Sequence, residues 1–540
     1  MSAKPQAGED LTGRSRFARN VTFAWGGYSV NIITGFLMPR LISDHLSQGV
    51  LGIWDFSWSL VTYFTIIQLG LGGSVNRYVA RHRAEGNPDA LNRSVSTIAV
   101  FLWLACLLVT LVSVVSAWWI VPLFGAQLGE ELKTAQWVVL ILGLEIAVSF
   151  LFSIYNGVLV GCHRWDWHNT VSTITYATLA VGMASVVLAG GGLVLIALVH
   201  AVVMTAGEMY RKRLTRAACP ELRLDFRLAS LTRFKEQAHY SAKSILPRVG
   251  EMVSNQSLSF LITYFLGPAM LAIYSRPQNL IRQVQTMSAK FGSILLPTAS
   301  SLQAQASHDQ VRITLLESVR HLGALAMPVA MTMALAGDFV IRLWMGTAYV
   351  YPGLVTVMAL ASLPVWIMEP VWSILAGLNQ HGRVGWGKVV GSLLSALALV
   401  AAFTLGKCGL LGAAIAFSIP QVIVNAVVSP VIACRRIGLP LGQFYWEAFG
   451  RPFVCGLPYA LGLGFAVWLL PGHIPLAMGS ALLGVIITGL TYWLFILPSS
   501  WKKNIQSRMP FRSSATPRFP TDQSLSGTQA KIVEPQPRNP

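Results

Sequence analysis

The chain has 540 residues, of which 54% are hydrophobic and 11% charged, and its formal net charge is +18. This apolar composition excludes a soluble multidomain protein and indicates a chain that crosses a membrane many times. The basic residues lie mostly in loops between apolar runs, so membrane topology explains the charge and no nucleic-acid binding is expected.

Apolar runs of about 20 residues, the length that crosses a bilayer, predict an all-α polytopic membrane protein. Residues 1–16 are polar, so the first run is expected to remain as a spanning helix and not to be a cleavable signal. Fourteen spans are predicted in chain order, at 17–39, 49–71, 95–121, 134–160, 167–189, 193–210, 237–266, 269–298, 313–336, 350–377, 385–405, 409–433, 446–470 and 475–497.

The distribution of Lys and Arg predicts that both termini are cytoplasmic, since cytoplasmic loops retain basic residues. In that orientation the outer side holds Arg40, Lys133, Arg342 and Lys407, while the cytoplasmic side holds most of the loop cations, Lys388 among them. Adding or removing one span would place every later basic loop on the wrong side.

Changes in composition divide the chain into two lobes of six spans and several smaller parts. The long basic segment after the sixth span is the natural boundary, and the Ser- and Pro-rich end predicts a disordered tail. The parts are a cytoplasmic segment 1–16, a first lobe 17–210, a linker 211–236, a second lobe 237–434, two further spans in 435–497 and a cytoplasmic tail 498–540.

An internal repeat supports two pseudo-symmetric lobes around a central cavity. A shift of 220 residues matches Leu51 with Leu271 and Gly72 with Gly292, among other pairs. The shift moves each span by six, an even number, so the two copies point the same way across the membrane.

The seventh span carries polar and charged residues on one helical face. Ser244, Arg248, Glu251 and Asn255 recur at helical spacing, and Lys243 lies beside them. A charged side chain near the bilayer centre costs about 3 kcal/mol, so this face must meet other helices or a watery cavity. Alternatively, Arg248 and Glu251 neutralise each other at a packing seam. In the first lobe the repeat places Tyr28 and Asn31 at equivalent positions.

The eighth span adds Arg276, Asn279 and Arg282. Cations at several depths suit the passage of an anionic group such as a phosphate or pyrophosphate, which arginine binds through paired hydrogen bonds. Three carboxylates within the spans, Asp55, Glu145 and Glu369, are candidates for ion coupling. A hydrogen bond between helices is the alternative for Glu145 and Glu369.

Motifs of soluble catalysis are missing from the sequence. It has no phosphate-binding glycine loop followed by Lys-Ser or Lys-Thr and no HExxH, so no catalytic residues, no ATP hydrolysis and no cofactor are expected. The six cysteines are scattered, which does not indicate a disulfide framework. Cys162, His163 and His168 come nearest to a metal site, but Trp165 and Trp167 make an interfacial loop the simpler interpretation, and no metal is expected.

The sequence resembles the polysaccharide-biosynthesis (O-antigen type) flippases of the multidrug/oligosaccharidyl-lipid/polysaccharide exporter superfamily. The resemblance lies in LGIWDFSWSLVTYFTIIQLGLGGSVNRYVA at 51–80, FLGPAMLAIYSRPQNLIRQV at 265–284 and GLLGAAIAF at 409–417, and it covers most of residues 17–440. It implies two six-helix lobes in a V, alternating access and a polyprenyl-diphosphate-linked oligosaccharide as cargo. In related flippases cavity cations meet the lipid pyrophosphate, and Arg248 and Arg276 fit that role here, with Lys243 and Arg282 behind them.

Three functions are compared. The first is a flippase in the bacterial inner membrane that moves a lipid-linked glycan outward, with membrane lipid and a polysaccharide polymerase or other assembly proteins as partners. The second is an ion-coupled exporter of cationic drugs, for which the excess of Arg and Lys in the seventh and eighth spans is unfavourable. The third is a membrane scaffold that recruits glycan-assembly enzymes through residues 211–236 and the tail, without transport.

Overall fold

A computed structural model of the chain describes residues 14–68, 71–232, 234–235, 252, 255–305, 308–378, 381–469, 474–497 and 502, and their secondary structure is helical. The helices of the first half are α1 (Arg14–His45), α2 (Gln48–Phe64), α3 (Leu71–Ala84), α4 (Pro88–Val115), α5 (Gly125–Leu128), α6 (Leu132–Gly161), α7 (Trp165–Leu188) and α8 (Leu193–Ala218). Those of the second half are α9 (255–266), α10 (Pro268–Ala304), α11 (His308–Met345), α12 (Leu354–Ile367), α13 (Glu369–Gly377), α14 (His381–Thr404), α15 (Leu410–Ile423), α16 (Ser429–Ile437), α17 (Leu441–Tyr445), α18 (Arg451–Leu469) and α19 (Ile474–Thr491).

The predicted spans correspond to these helices, which confirms an all-α polytopic protein. By length and composition, eight helical runs among the described residues are able to cross a bilayer, and one of them, Pro88–Gly161, contains two predicted spans. The number fourteen is therefore supported approximately. Helix α3 is an addition: it follows the second span and has Arg81, His82 and Arg83 in its last turn. Most of the seventh span, 237–254, and the tail lie outside the described residues.

The helices pack in two groups. In the first group α6 lies at the centre and contacts α2, α3, α4 and α8, while α1 packs along α7. In the second group α10 packs against α12 and α13, α11 against α12, and α14 against α15. Helix α18 packs on α11 and on α19. The main contact between the groups is α2 against α10, so the space next to this pair lies between two independently packed bodies.

The helix ends follow the repeat found in the sequence. Helices α2 and α10 begin at Gln48 and Pro268, 220 residues apart, and α4 and α11 begin at Pro88 and His308, also 220 apart. Helix α10 ends at Ala304, which is 220 residues after the end of α3 at Ala84. The long helix α10 is thus the counterpart of α2 and α3 together, and α2 and α10 meet as equivalent elements.

The predicted linker is partly helical and partly clamped to α4. Helix α8 continues to Ala218, so residues 211–218 are not a loop. Beyond it, the Asn92 side chain donates to the Glu221 carbonyl (3.1 Å) and accepts from the Arg223 amide (2.7 Å). The Ser96 hydroxyl accepts from the amide of Asp225 at 3.1 Å. These side chains satisfy backbone groups that a helix or sheet would otherwise satisfy.

Replacing Asn92 by alanine should release this segment. The change removes two hydrogen bonds and leaves a half-buried backbone N–H and C=O without partners. This lowers the free energy of local unfolding of the segment by about 1–3 kcal/mol. We expect trypsin to cleave after Arg223 and Arg227 several times faster in Asn92→Ala than in the wild type. Asp89→Asn, an exposed change one turn earlier on α4, is the control. Equal cleavage in all three proteins would contradict a clamp at Asn92.

Candidate functional site

A polar cavity of about 270 Å³ lies between the two groups of helices, and we call it the interlobe cavity. From the first group, α2 contributes a face with one-turn spacing, Asp55, Trp58, Ser59 and Thr62. From the second group, the wall is formed by α9 and α10, whose lining residues are Asn255, Gln256, Leu258, Ser259, Tyr274, Ser275, Gln278, Asn279 and Arg282. Most of this wall consists of amide, hydroxyl and charged groups, which is unusual at membrane depth and indicates contact with water or a polar ligand.

An ion pair joins the two groups beside this cavity. Arg276 on α10 donates through Nη2 to Oδ2 of Asp55 on α2. The Arg276 side chain is 1% exposed and does not line the cavity, whereas Asp55 is 16% exposed and does. Arg276 was expected to face the cavity as a substrate-binding cation; the structure instead buries its guanidinium in a contact between helices, because α2 brings a carboxylate against it. The Arg276 Nε atom is buried and has no hydrogen-bond partner among the described residues.

Arg282 is the cation that lines the interlobe cavity among the described residues. It lies six residues after Arg276 on α10, about 9 Å further along the helix axis. Asp55 and Arg276 neutralise each other, so Arg282 leaves this part of the wall with a positive charge. Asn255 and Asn279 lie on the same wall, as the sequence predicted.

At one end of the molecule the two groups are in direct contact, and we call this the closed end. Tyr349 donates its hydroxyl hydrogen to Ser43 Oγ (2.7 Å), and Trp344 Nε1 donates to the Phe36 carbonyl (2.7 Å). Gln48 Nε2 donates to the Ala348 carbonyl at 3.1 Å. Helix α2 begins at this end, so these contacts join the two groups near the start of α2.

Helices α2 and α10 cross at Gly52 near the closed end. A Cβ atom placed on Gly52 would lie 1.8 Å from the carbonyl oxygen of Pro268, the first residue of α10. A glycine is required here because two helix backbones approach more closely than any side chain allows.

A second polar space lies next to the interlobe cavity, within the second group, and we call it the side chamber. It has a volume of about 100 Å³ and shares Asn255, Tyr274 and Gln278 with the interlobe cavity. Its further polar lining comes from α10, α12, α14, α15 and the π-helical turn Val424–Val428 after α15, and it comprises Gln285, Ser362, Lys388, Ser392, Ser418, Gln421 and Asn425. Lys388 lies seven residues inside α14, so it belongs to a helix and not to a loop, and its cytoplasmic side stays a prediction.

The structure does not describe the side chains of several predicted site residues. Lys243, Arg248 and Glu251 lie outside the described residues. Tyr28 and Asn31 belong to α1, but their side chains are not among those that the structure describes. Their roles stay predictions.

The other two ion-coupling candidates lie away from the interlobe cavity wall. Glu145 on α6 is near Glu208 of α8, which forms an ion pair with Arg211. Glu369 begins α13 after a break at Met368 that ends α12. Pro370 is the second residue of α13. Neither carboxylate's role in ion coupling is tested by this arrangement.

Sequence reasoning did not identify several uncharged residues that line the site. Trp58 and Thr62 of α2 and Gln278 of α10 line the interlobe cavity although none was singled out. A signal existed for the side chamber: Ser418, Gln421 and Asn425 follow one another at helical spacing inside an apolar span. Isolated polar residues of this kind are common in membrane helices, so the spacing alone did not distinguish them from packing contacts.

The fold is that of a family of membrane transporters. A structure of the lipid II flippase MurJ in an inward closed conformation matches 90% of this chain and 100% of its own, with a TM-score of 0.68 and 13% sequence identity. An inward-facing multidrug resistance MATE family transporter of the MOP superfamily matches 77% of this chain and 98% of its own, with a TM-score of 0.65 and 13% identity. The protein is therefore a multi-pass membrane protein with a transporter fold.

The family is defined at the level of sequence. The profile described as "Polysaccharide biosynthesis protein" matches residues 82–352, half of the chain, and the chain belongs to that family. A Shigella flexneri protein named as an O-antigen transporter is 22% identical over 422 residues, which cover 74% of this chain and 95% of the relative. The resemblance inferred from the sequence motifs is thereby confirmed.

Proposed function

We propose that this protein is a flippase that moves a polyprenyl-diphosphate-linked oligosaccharide across the bacterial inner membrane, for the synthesis of a cell-surface polysaccharide. The observation that carries the proposal is the interlobe cavity: a polar space with a positive charge, enclosed between two groups of helices that touch at one end. The family and the named activity of the Shigella relative support the same cargo class.

The charge of the cavity favours an anionic cargo. Asp55, the carboxylate on its wall, already pairs with Arg276, so it offers little attraction to a cation. Arg282 points its charge at the space, and arginine binds phosphate oxygens through two parallel hydrogen bonds. The amides of Asn255, Asn279 and Gln278 supply donors and acceptors for sugar hydroxyls. A cationic drug would need the opposite balance of charge.

Alternating access accounts for the contacts at the closed end. In the orientation predicted from the basic loops, with both termini cytoplasmic, residues 36–48 and 344–349 lie on the outer side of the membrane. The described conformation then receives cargo from the cytoplasmic leaflet. Separation of the two groups at the closed end would deliver the cargo to the outer leaflet, where a polymerase can use it. The chain itself carries out translocation, without a chemical reaction on the glycan.

Replacing Arg282 by glutamine tests the proposal. In vesicles containing the purified protein and a fluorescent polyprenyl-diphosphate oligosaccharide, we expect the flipping rate of Arg282→Gln to fall at least tenfold. One charge-assisted contact to phosphate accounts for about this much. Arg342→Gln removes the same charge from an exposed site at the end of α11 and should flip normally. If wild-type protein in vesicles does not flip this lipid, the proposed function is wrong.

A further inference from the structure

The side chamber contains a charged residue that no carboxylate among the described lining residues neutralises. Lys388 is the charged residue on its described wall, and no carboxylate stands among the lining residues. Its Nζ atom lies 4.0 Å from the ring centroid of Trp372 on α13. That indole face is the one partner found for Lys388 among the described residues. The Lys388 side chain is partly buried. A partly buried ammonium in a membrane helix normally has a carboxylate partner, and an aromatic face replaces only part of that interaction.

A second group in the side chamber is also incompletely bonded. Asn425 is 2% exposed, and its Nδ2 donates to the Gln421 carbonyl at 2.9 Å. Its Oδ1 atom is buried and accepts no hydrogen bond from the described residues. Buried polar atoms are nearly always bonded, but this oxygen exposes less than 1 Å² of surface, so a ligand in the chamber reaches it only if the Asn425 side chain turns.

The remaining surface of the side chamber suits a sugar ring. Ser362, Ser392 and Ser418 present hydroxyl groups that donate or accept, and Tyr274 and Phe417 supply aromatic surface. A volume of about 100 Å³ holds on the order of eight waters, which fits one sugar residue and not a whole oligosaccharide. Asn255, Tyr274 and Gln278 line both the chamber and the interlobe cavity, so the two spaces are adjacent and one glycan is able to occupy both if these side chains let it pass.

We propose that the side chamber is a subsite for a sugar that carries a carboxylate, such as a hexuronic acid, with Lys388 binding the carboxylate and the serine hydroxyls bonding to the sugar hydroxyls. The inference rests on the proposed function and specifies the glycan. One lysine matches the single charge of a carboxylate. A diphosphate carries more charge and is better served by Arg282 in the interlobe cavity.

The test uses two fluorescent short-chain polyprenyl-diphosphate trisaccharides that differ in one group. The first contains glucuronic acid, and the second contains glucose at the same position, so only the carboxylate is removed. In vesicles, Lys388→Gln should flip the acidic trisaccharide about tenfold more slowly and the neutral one at the wild-type rate. Lys388→Arg should flip both, and Lys407→Gln, which removes an exposed charge, is the matched control.

A measurement on the unmodified protein supplements the variants. Free glucuronate should slow the flipping of the acidic trisaccharide by wild-type protein, whereas glucose at the same concentration should not. An equal fall for both trisaccharides in Lys388→Gln would overturn the subsite and assign the lysine to helix packing or to the diphosphate. Equal rates in the wild type and the variant would overturn it as well. Failure of the wild type to flip either trisaccharide would instead remove the proposed function, and the subsite with it.

Discussion

Replacing Gly52 by alanine is expected to abolish transport by preventing the closed end from forming. The new Cβ would lie 1.8 Å from the Pro268 carbonyl oxygen. The helix backbones fix the positions of both atoms, so neither can rotate away. Relieving the overlap requires α2 and α10 to move apart, and overpacking of this kind costs about 1–3 kcal/mol or more. A difference of 2 kcal/mol changes the ratio of two conformations about thirtyfold.

Crosslinking across the closed end measures this shift. In a cysteine-free background, cysteines at positions 48 and 348 should crosslink readily with a short bifunctional reagent, because Gln48 contacts the Ala348 carbonyl. Adding Gly52→Ala should lower the yield severalfold and stop flipping in vesicles. Gly49→Ala is the control, since its Cβ would meet only Ser47 Oγ, at 3.9 Å. A wild-type crosslinking yield in Gly52→Ala would show that the contact between α2 and α10 accommodates a methyl group. Position 52 would then not require glycine.

Breaking the Asp55–Arg276 ion pair is expected to have the second large effect. Replacing Asp55 and replacing Arg276 should destabilise the fold by different amounts. Asp55→Asn leaves a guanidinium that is 1% exposed without a counter-charge, which destabilises the fold by about 3 kcal/mol. Arg276→Met leaves a carboxylate that is 16% exposed to the cavity, where water or a proton can compensate it. Arg276→Met should therefore be the less destabilising of the two changes.

The double variant separates structure from transport. Asp55→Asn with Arg276→Met removes both charges, so its apparent melting temperature in detergent should lie above that of Asp55→Asn alone. Flipping should remain low if Arg276 meets the cargo when the pair opens. Asp44→Asn, which breaks an exposed pair with Arg40, should change neither measurement. Recovery of both stability and flipping in the double variant would limit the pair to a structural role.

The spans and their repeat were predictable because their signals are local. A run of about 20 apolar residues must form a helix in a bilayer, whatever surrounds it. The 220-residue shift found in matches such as Gly72 with Gly292 also relates the starts of α2 and α10. Asn255, Asn279 and Arg282 were placed on a polar wall for the same reason, since helical spacing fixes which residues share a face.

The sequence by itself therefore determined the membrane class, the approximate spans, the register of the repeat and the polar faces of the seventh and eighth spans. Only the tertiary structure decided that Arg276 pairs with Asp55, 221 residues away, and that Lys388 enters a chamber instead of a loop. Hydropathy and periodicity report which face of a helix is polar, but not which other helix that face meets. Close backbone contacts such as Gly52 against Pro268 determine which helix faces pack against each other. These contacts depend on how all the helices pack together.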